Sequence, residues 1–393
     1  MKRLNLLIVL LASLGRLSAQ SSGGALSGTV TDSLTGKPLA AASVYLNNTS
    51  KGGVTDRNGA FRLTIPAGTF ELVVSAIGYE TVIVEIDGSR LPPVLPVRLR
   101  QAATELTAVT VEPFDKHGWA RYGKYFQDNF IGIGENAASC RILNKEVLRF
   151  YFYKRGNRLR VTAAEPLQIE NDALGYVLTY QLKEFVSDFN TKIIAFSGYP
   201  FFQEQTPENE AAGKNWLRKR WTAYRGSMMH FMRSLYTGHT ISEGFLIQRD
   251  VYMVNEEKRR VKSIYRPDFQ KPGLFPKDTL YYFWEVLREP DPIHRRLALS
   301  PDSLITGHTA RNLSIYFDGN LIVSYGVNGD ADSLRQSEIR LLGAEPVAVE
   351  GNGRYYPSRE ILARGVWGQS EKISNLLPLD YLAVDPDSRP VLH

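Results

Sequence analysis

The stretch that most constrains this chain is a series of short alternating segments near its start. Leu26-Ser27-Gly28-Thr29-Val30, Ser43-Val44-Tyr45-Leu46, Phe61-Arg62-Leu63-Thr64-Ile65 and Phe70-Glu71-Leu72-Val73-Val74 come first. Val82-Ile83-Val84-Glu85-Ile86 and Val97-Arg98-Leu99 follow. Successive side chains of a strand point to opposite faces, so Phe61, Leu63 and Ile65 share one face and Arg62 and Thr64 the other. Segments spaced about ten residues apart, with turn residues between them, predict a sandwich or barrel.

The punctuation has local causes. Thr35-Gly36-Lys37-Pro38 is a turn followed by an entry into the next strand that proline stiffens. Asp56-Arg57-Asn58-Gly59 is expected to close a hairpin, because Asn and Gly tolerate the left-handed backbone of tight turns. Pro66-Ala67-Gly68 is expected to close another. Asp56 and Asn58 do not make a calcium site, since two oxygens fall well short of the six to eight that calcium takes, at about that count. Gly28-Thr29-Val30, Gly36-Lys37-Pro38-Leu39 with Ala42 and Val44, Thr55-Asp56 with Gly59 and Phe61, Pro66-Ala67-Gly68 and Gly78-Tyr79 together resemble the carboxypeptidase regulatory-like domain. The resemblance implies a seven-stranded transthyretin/Ig-like sandwich over 25–100. It also implies a module that accompanies zinc carboxypeptidases, outer-membrane transporters and envelope proteins without being catalytic itself.

Ahead of this module, Lys2 and Arg3 precede an apolar run from Leu6 to Leu14 and then Leu17-Ser18-Ala19-Gln20. A charged start, a short apolar core and a small-residue cleavage site predict a secretory signal peptide over 1–19. The run is shorter than the ~20 residues a membrane-spanning helix needs. No later stretch approaches that length, so no transmembrane helix is expected after cleavage. Residues 100–393 also lack a regular series of alternating ten-residue strands, which argues against a membrane barrel. The location expected is therefore the periplasm, the outer membrane's neighbourhood or the cell exterior.

Cys140 is the one cysteine, so no intramolecular disulfide can form, although export would permit one. The formal charge of +6 falls by three once Lys2, Arg3 and Arg16 leave with the signal peptide, which is too little to imply a nucleic-acid partner.

Residues 101–112 read as a connecting strand and linker, and Leu106-Thr107-Ala108-Val109-Thr110-Val111 resembles the strand that joins such modules to the plug of outer-membrane transporters. A larger domain of α+β or mostly-β character is expected over 113–385, with a tail over 386–393. Phe130-Ile131-Gly132, Glu165-Pro166-Leu167, Tyr199-Pro200-Phe201-Phe202, Tyr224-Arg225-Gly226-Ser227 and Leu376-Leu377-Pro378-Leu379-Asp380-Tyr381 are similar to the C-terminal part of a group of exported Bacteroidota proteins. That group brings no reaction with it. Leu148–Tyr153, Leu159–Thr162, Tyr176–Leu182 and Lys192–Phe196 read as strands. Leu313–Phe317 and Leu321–Tyr325 flank Asp318-Gly319-Asn320, which predicts a hairpin. Leu217, Trp221, Tyr224, Met228, Phe231 and Leu235 recur at three- and four-residue steps, which predicts one helix through Gly226. A short helix is expected around Pro357–Ala363.

Candidate chemistry is sparse. A zinc peptidase needs clustered His and carboxylate ligands. None of His117, His230, His239, His294, His308 and His393 begins an HxxE or HExxH motif, although His230 and His239 could converge with an acid such as Glu243. Ser227 and His230 share a helix face, but without a nucleophile elbow or an orienting acid they read as helix capping or packing. Cys140 reads as a small buried side chain. Trp216-Leu217-Arg218-Lys219-Arg220-Trp221 could meet anions or sugars, and reads more simply as a solvated basic face over an aromatic core. Lys258-Arg259-Arg260-Val261-Lys262 reads as a strand or its adjoining turn, its charge partly offset by Glu256 and Glu257.

These observations assign no catalytic, cofactor-binding or metal-ligating residue and call for no cofactor. They predict an exported, non-catalytic envelope protein that binds a protein or surface partner. A hydrolase with its site in 113–385, and carbohydrate binding through the N-terminal sandwich, are the alternatives.

Overall fold

The computed structural model describes residues 23–102, 114–266, 273–309, 311–326 and 335–386. The signal-peptide residues, the segment 106–111 and most of the tail lie outside them. The chain forms two compact units: Met1–Trp221 with Ile373–His393, and Thr222–Lys372.

The first unit opens with β1 (Gly24–Asp32), β2 (Ser43–Leu46), β3 (Gly52–Val54), β4 (Ala60–Ile65), β5 (Thr69–Ser75), β6 (Val82–Asp87) and β7 (Leu95–Leu99). They make two sheets, β4-β1-β7 and β3-β2-β5-β6, with β1 antiparallel to β4 and parallel to β7. This is the seven-stranded sandwich. Leu26, Val30, Leu63 and Ile65 from one sheet meet Val44, Leu46, Leu72 and Val74 from the other in a single core. Each fully buried side chain of this kind contributes about 1.5–3 kcal/mol relative to exposure. The expected hairpins are corrected here. Asp56 accepts the N–H groups of Asn58 and Ala60, and Gly59 has φ +70, so the turn forms as its residues dictate. However, it carries the chain from β3 in one sheet to β4 in the other, and the 66–68 turn carries it back to β5.

The same unit continues with α1 (Gly118–Phe130), β8 (Cys140–Ile142), β9 (Leu148–Tyr153), β10 (Arg158–Ala163), β11 (Leu167–Asn171), β12 (Tyr176–Asp188) and β13 (Ile193–Glu204). The sheet order is β8-β11-β12-β10-β9, with β13 on β12. Phe126 and Phe130, one helical turn apart, put the α1 face against Phe185, Tyr180 and Phe196 at ring separations of 5.0–5.2 Å. The sandwich docks on this sheet through Tyr45, whose hydroxyl donates to the Tyr199 carbonyl at 3.1 Å. Asp380 returns to the same place and accepts from the N–H and hydroxyl of Ser50 at 2.9 and 2.6 Å.

α2 (Glu210–Tyr224) contains the boundary between the units. The second unit holds α3 (Met228–Tyr236), β14 (Phe245–Met253), α4 (Glu256–Ile264), α5 (Lys277–Arg288), β15 (Ile293–Ala298), β16 (Ile305–His308), β17 (Asn312–Ile315) and β18 (Asn320–Tyr325). β19 (Arg335–Leu341), β20 (Val347–Glu350), β21 (Tyr355–Tyr356), β22 (Ile361–Gly365) and α6 (Val366–Ser370) complete it. Its sheets are β15-β14-β18-β19-β22 and β16-β17-β20-β21, and α3 supplies Met228, Phe231, Met232 and Leu235 to the core they share. The Asp318-Gly319-Asn320 turn is again no hairpin, because β17 and β18 belong to different sheets. The helix expected through Gly226 is two helices, since Gly226 takes φ +71 and Ser227 caps α3. Ser358–Glu360 is a single 3-10 turn leading into β22, where a helix was expected.

Candidate functional site

His230 does meet Glu243. Its Nε2 lies 3.1 Å from the carboxylate, while Nδ1 accepts the Gly226 N–H at 3.0 Å. An accepting Nδ1 requires the hydrogen on Nε2, so the ring is neutral and donates to Glu243. Burial holds the imidazole below its ordinary pKa, and Tyr224, Phe245 and Tyr325 surround it at ring separations of 4.7, 4.9 and 5.5 Å. Ser227 accepts the His230 N–H at 3.1 Å as the cap of α3, so the pair is structural in geometry. His239 is exposed and does not join them, and among the described residues no three His, Cys, Asp or Glu groups gather as metal ligands. His117 and His308 are exposed, His294 pairs with Asp250 at 3.0 Å, and His393 lies outside the described residues.

Burial likewise pushes the Cys140 thiol up to about 12, so it is not a thiolate near neutrality. The basic-aromatic segment 216–221 turns partly inward. Arg220 is 7 % exposed, lies 3.9 Å over the Tyr176 ring, and donates to the carbonyls of Leu174 and Gly175 and to Glu204. Trp216 donates to the Asp172 carbonyl at 2.8 Å. Both residues brace the turn before β12, leaving Leu217 as the exposed apolar member.

The groove between the adjoining edges of β3 and β4 is lined by Val54, Thr55, Asp56, Ala60, Phe61 and Arg62. The Thr55 hydroxyl in it is already engaged, donating to the Leu39 carbonyl and accepting the Ala42 N–H. Phe61 is buried in the sandwich core and offers no stacking face.

The surface that stands apart is the insertion between β14 and β15. Asn255 caps α4 by accepting the Lys258 N–H at 2.9 Å, and Glu256 and Glu257 occupy its first turn. Residues 258–262 are therefore helical where a strand was expected. Arg259 pairs with Glu256 and Arg260 with Glu257 across i,i+3 spacings. Val261 of α4 and Phe283 of α5 are buried, and Tyr265 and Phe275 pack on Phe283 at 5.2 and 5.3 Å. This small core leaves much apolar surface outside. Tyr252, Met253, Val254, Leu274, Tyr281 and Trp284 are each roughly half to two-thirds exposed. Sequence reading missed this surface, although Lys277, Tyr281, Trp284 and Arg288 recur at helical steps.

Residues 26–111 match the CarboxypepD_reg-like domain family. The N-terminal sandwich is a carboxypeptidase regulatory-like domain. No curated protein matches the sequence. Among solved structures, the 3-chlorocatechol 1,2-dioxygenase of Rhodococcus opacus is 15% identical over 21% of this chain and 61% of its own, with a TM-score of 0.16. A cohesin–X-dockerin complex of Acetivibrio cellulolyticus is 25% identical over 19% and 52%, with a TM-score of 0.16. This chain thus spans less than two thirds of either. A protein of unknown function from Bacteroides fragilis is 12% identical over 86% and 93%, with a TM-score of 0.17.

Proposed function

We propose that the chain is an exported, non-catalytic cell-envelope protein that binds a partner surface. One observation carries this reading: aromatic and aliphatic side chains stand exposed together on the α4–α5 insertion. Contiguous exposed apolar surface on a folded unit marks an interaction site. The groups that sequence alone offers for catalysis are meanwhile engaged inside the fold, His230 with Gly226 and Glu243, and Ser227 as a cap. Export rests on the leader pattern of residues 1–19.

Tagging the protein in its native cell, crosslinking in situ and fractionating the envelope tests the reading. Recovery in crosslinked envelope complexes is expected. Recovery from the cytoplasm overturns the export, and hydrolytic turnover by purified protein that disappears in His230→Ala overturns the non-catalytic role.

A further inference from the structure

We infer that the partner surface is an anionic lipid bilayer, met by one face of α5. The inference rests on the binding reading above and names its partner. At 100° per residue, Lys277, Tyr281, Trp284 and Arg288 fall within an arc of about 60° and run along about 16 Å of helix. Phe283, the buried residue of α5, points about 130° away from the centre of that arc. The acids of α5, Asp278 and Glu285, fall about 70–90° from the centre of that arc, so the stripe itself carries no negative charge. It is a cation at each end with two aromatics between.

The details suit a bilayer interface. Tyr281 is 65 % and Trp284 52 % exposed, with ring centroids 6.1 Å apart. The Arg288 guanidinium lies 4.4 Å over the Trp284 ring, which places the indole and the charge at one level. Neither Lys277 nor Arg288 has an ion-pair partner among the described residues. Trp and Tyr favour the headgroup region, where Lys and Arg reach anionic phosphates while their stems stay in apolar surroundings. An acidic polysaccharide would also offer charge and stacking. It would offer nothing to the aliphatic side chains of Met253, Val254, Ile264 and Leu274, which are exposed on the same insertion and gain from a hydrocarbon boundary.

Co-sedimentation of the full chain with phosphatidylglycerol–phosphatidylcholine vesicles tests this. Binding that weakens with salt and is absent from pure phosphatidylcholine is expected. Lys277→Gln with Arg288→Gln is expected to lower partitioning about 30-fold, from about 1 kcal/mol per cation near an anionic surface. Trp284→Ala is expected to lower it about tenfold. Asp278→Asn with Glu285→Gln, on the neighbouring arc, removes negative charge and is expected to preserve or strengthen it. These side chains are exposed, so unchanged circular dichroism and melting accompany each result. No binding to anionic vesicles, equal binding to neutral ones, or full binding by the double variant overturns the inference. Binding to soluble alginate without binding to vesicles overturns it in favour of a glycan. Recovery from crosslinked envelope complexes is a separate readout, and it would stand if the vesicle result failed.

Discussion

His230 Nδ1 accepts the backbone N–H of Gly226 at 3.0 Å, and this contact fixes both the tautomer of the ring and the break between α2 and α3. Burial, the largest cause, holds the imidazole below its ordinary pKa, and the Glu243 carboxylate opposes that effect. The unfolded chain therefore takes up a proton near the ordinary histidine value of about 6.5, while the folded unit does not. Stability is complete above that pH and is lost as pH falls towards the folded value. His230→Asn can keep an acceptor for Gly226 and has no titration, so the loss of urea midpoint that His230 causes between pH 7.5 and 5 is expected to be absent from it, leaving the dependence set by Glu371. His230→Phe leaves the Gly226 N–H without its acceptor and is expected to cost about 1–3 kcal/mol at pH 7.5, a difference that narrows towards pH 5 as the wild type loses its own histidine contribution.

Glu371 titrates with the opposite sign. Its Oε1 accepts the Met228 N–H at 3.0 Å at the start of α3, and burial pushes the carboxyl up to about 6. A raised carboxyl stabilises fully below the unfolded value near 4.5, and that contribution is lost as pH rises through 6. Glu371→Gln keeps the acceptor and removes the charge. It is expected to stabilise the second unit by up to about 2 kcal/mol at pH 7.5. No gain is expected at pH 4, as measured by urea unfolding at the two pH values.

How far the sequence foretold these features depends on what each signal reports. Asp56, Asn58 and Gly59, and equally Asp318, Gly319 and Asn320, announce a reversal, and Gly59 and Gly319 do take φ near +70. That chemistry bends the backbone without choosing the partner of the next strand. In both places the core recruits that strand to the facing sheet. The apolar period from Leu217 to Leu235 likewise continues across Gly226, because side-chain spacing carries no record of a positive φ. Residues 258–262 look strand-like by themselves, yet Asn255, Glu256 and Glu257 are a helix start that their neighbours obey. The stripe on α5 is visible as spacing, but its exposure is decided by which way Phe283 packs, and tertiary contact settles that.

Gly226→Ala tests the helix break directly. The residue sits at φ +71, a Cβ there would lie 2.5 Å from Tyr325 Cδ1, and its carbonyl accepts the Trp367 indole N–H at 2.7 Å. Strain and overlap together are expected to cost at least about 2–3 kcal/mol. Gly238 shares φ +71 but has nothing within 4 Å of its would-be Cβ. Gly238→Ala is therefore expected to cost about 1–2 kcal/mol, the backbone strain alone. Equal losses from the two variants in denaturant titrations would remove Tyr325 packing as the reason for glycine at 226.

The sandwich has its own acid-sensitive point in Asp32, at the end of β1. Oδ1 accepts the N–H groups of Leu34 and Thr35 at 2.8 Å, and Oδ2 accepts from the Tyr79 hydroxyl at 3.0 Å and the Gln101 amide at 2.9 Å. The Thr35 N–H and then the Gln101 amide are the main causes that hold the carboxyl well below the usual range. A lowered carboxyl contributes stability above the unfolded value of about 3.9 and loses it as pH falls towards the folded one. The sandwich melting temperature is thus expected to drop between pH 4 and 2 by more in the wild type than in Asp32→Asn. Asp32→Asn cannot accept at all four positions, since its amide nitrogen is a donor, so its melting temperature is expected to be lower at pH 7. Tyr79→Phe removes one donor of the four and is expected to show a smaller loss with the acid sensitivity retained. Differential scanning calorimetry across pH 2–7 reads all three proteins, and an Asp32→Asn profile parallel to the wild type would show that this carboxylate does not govern the acid response.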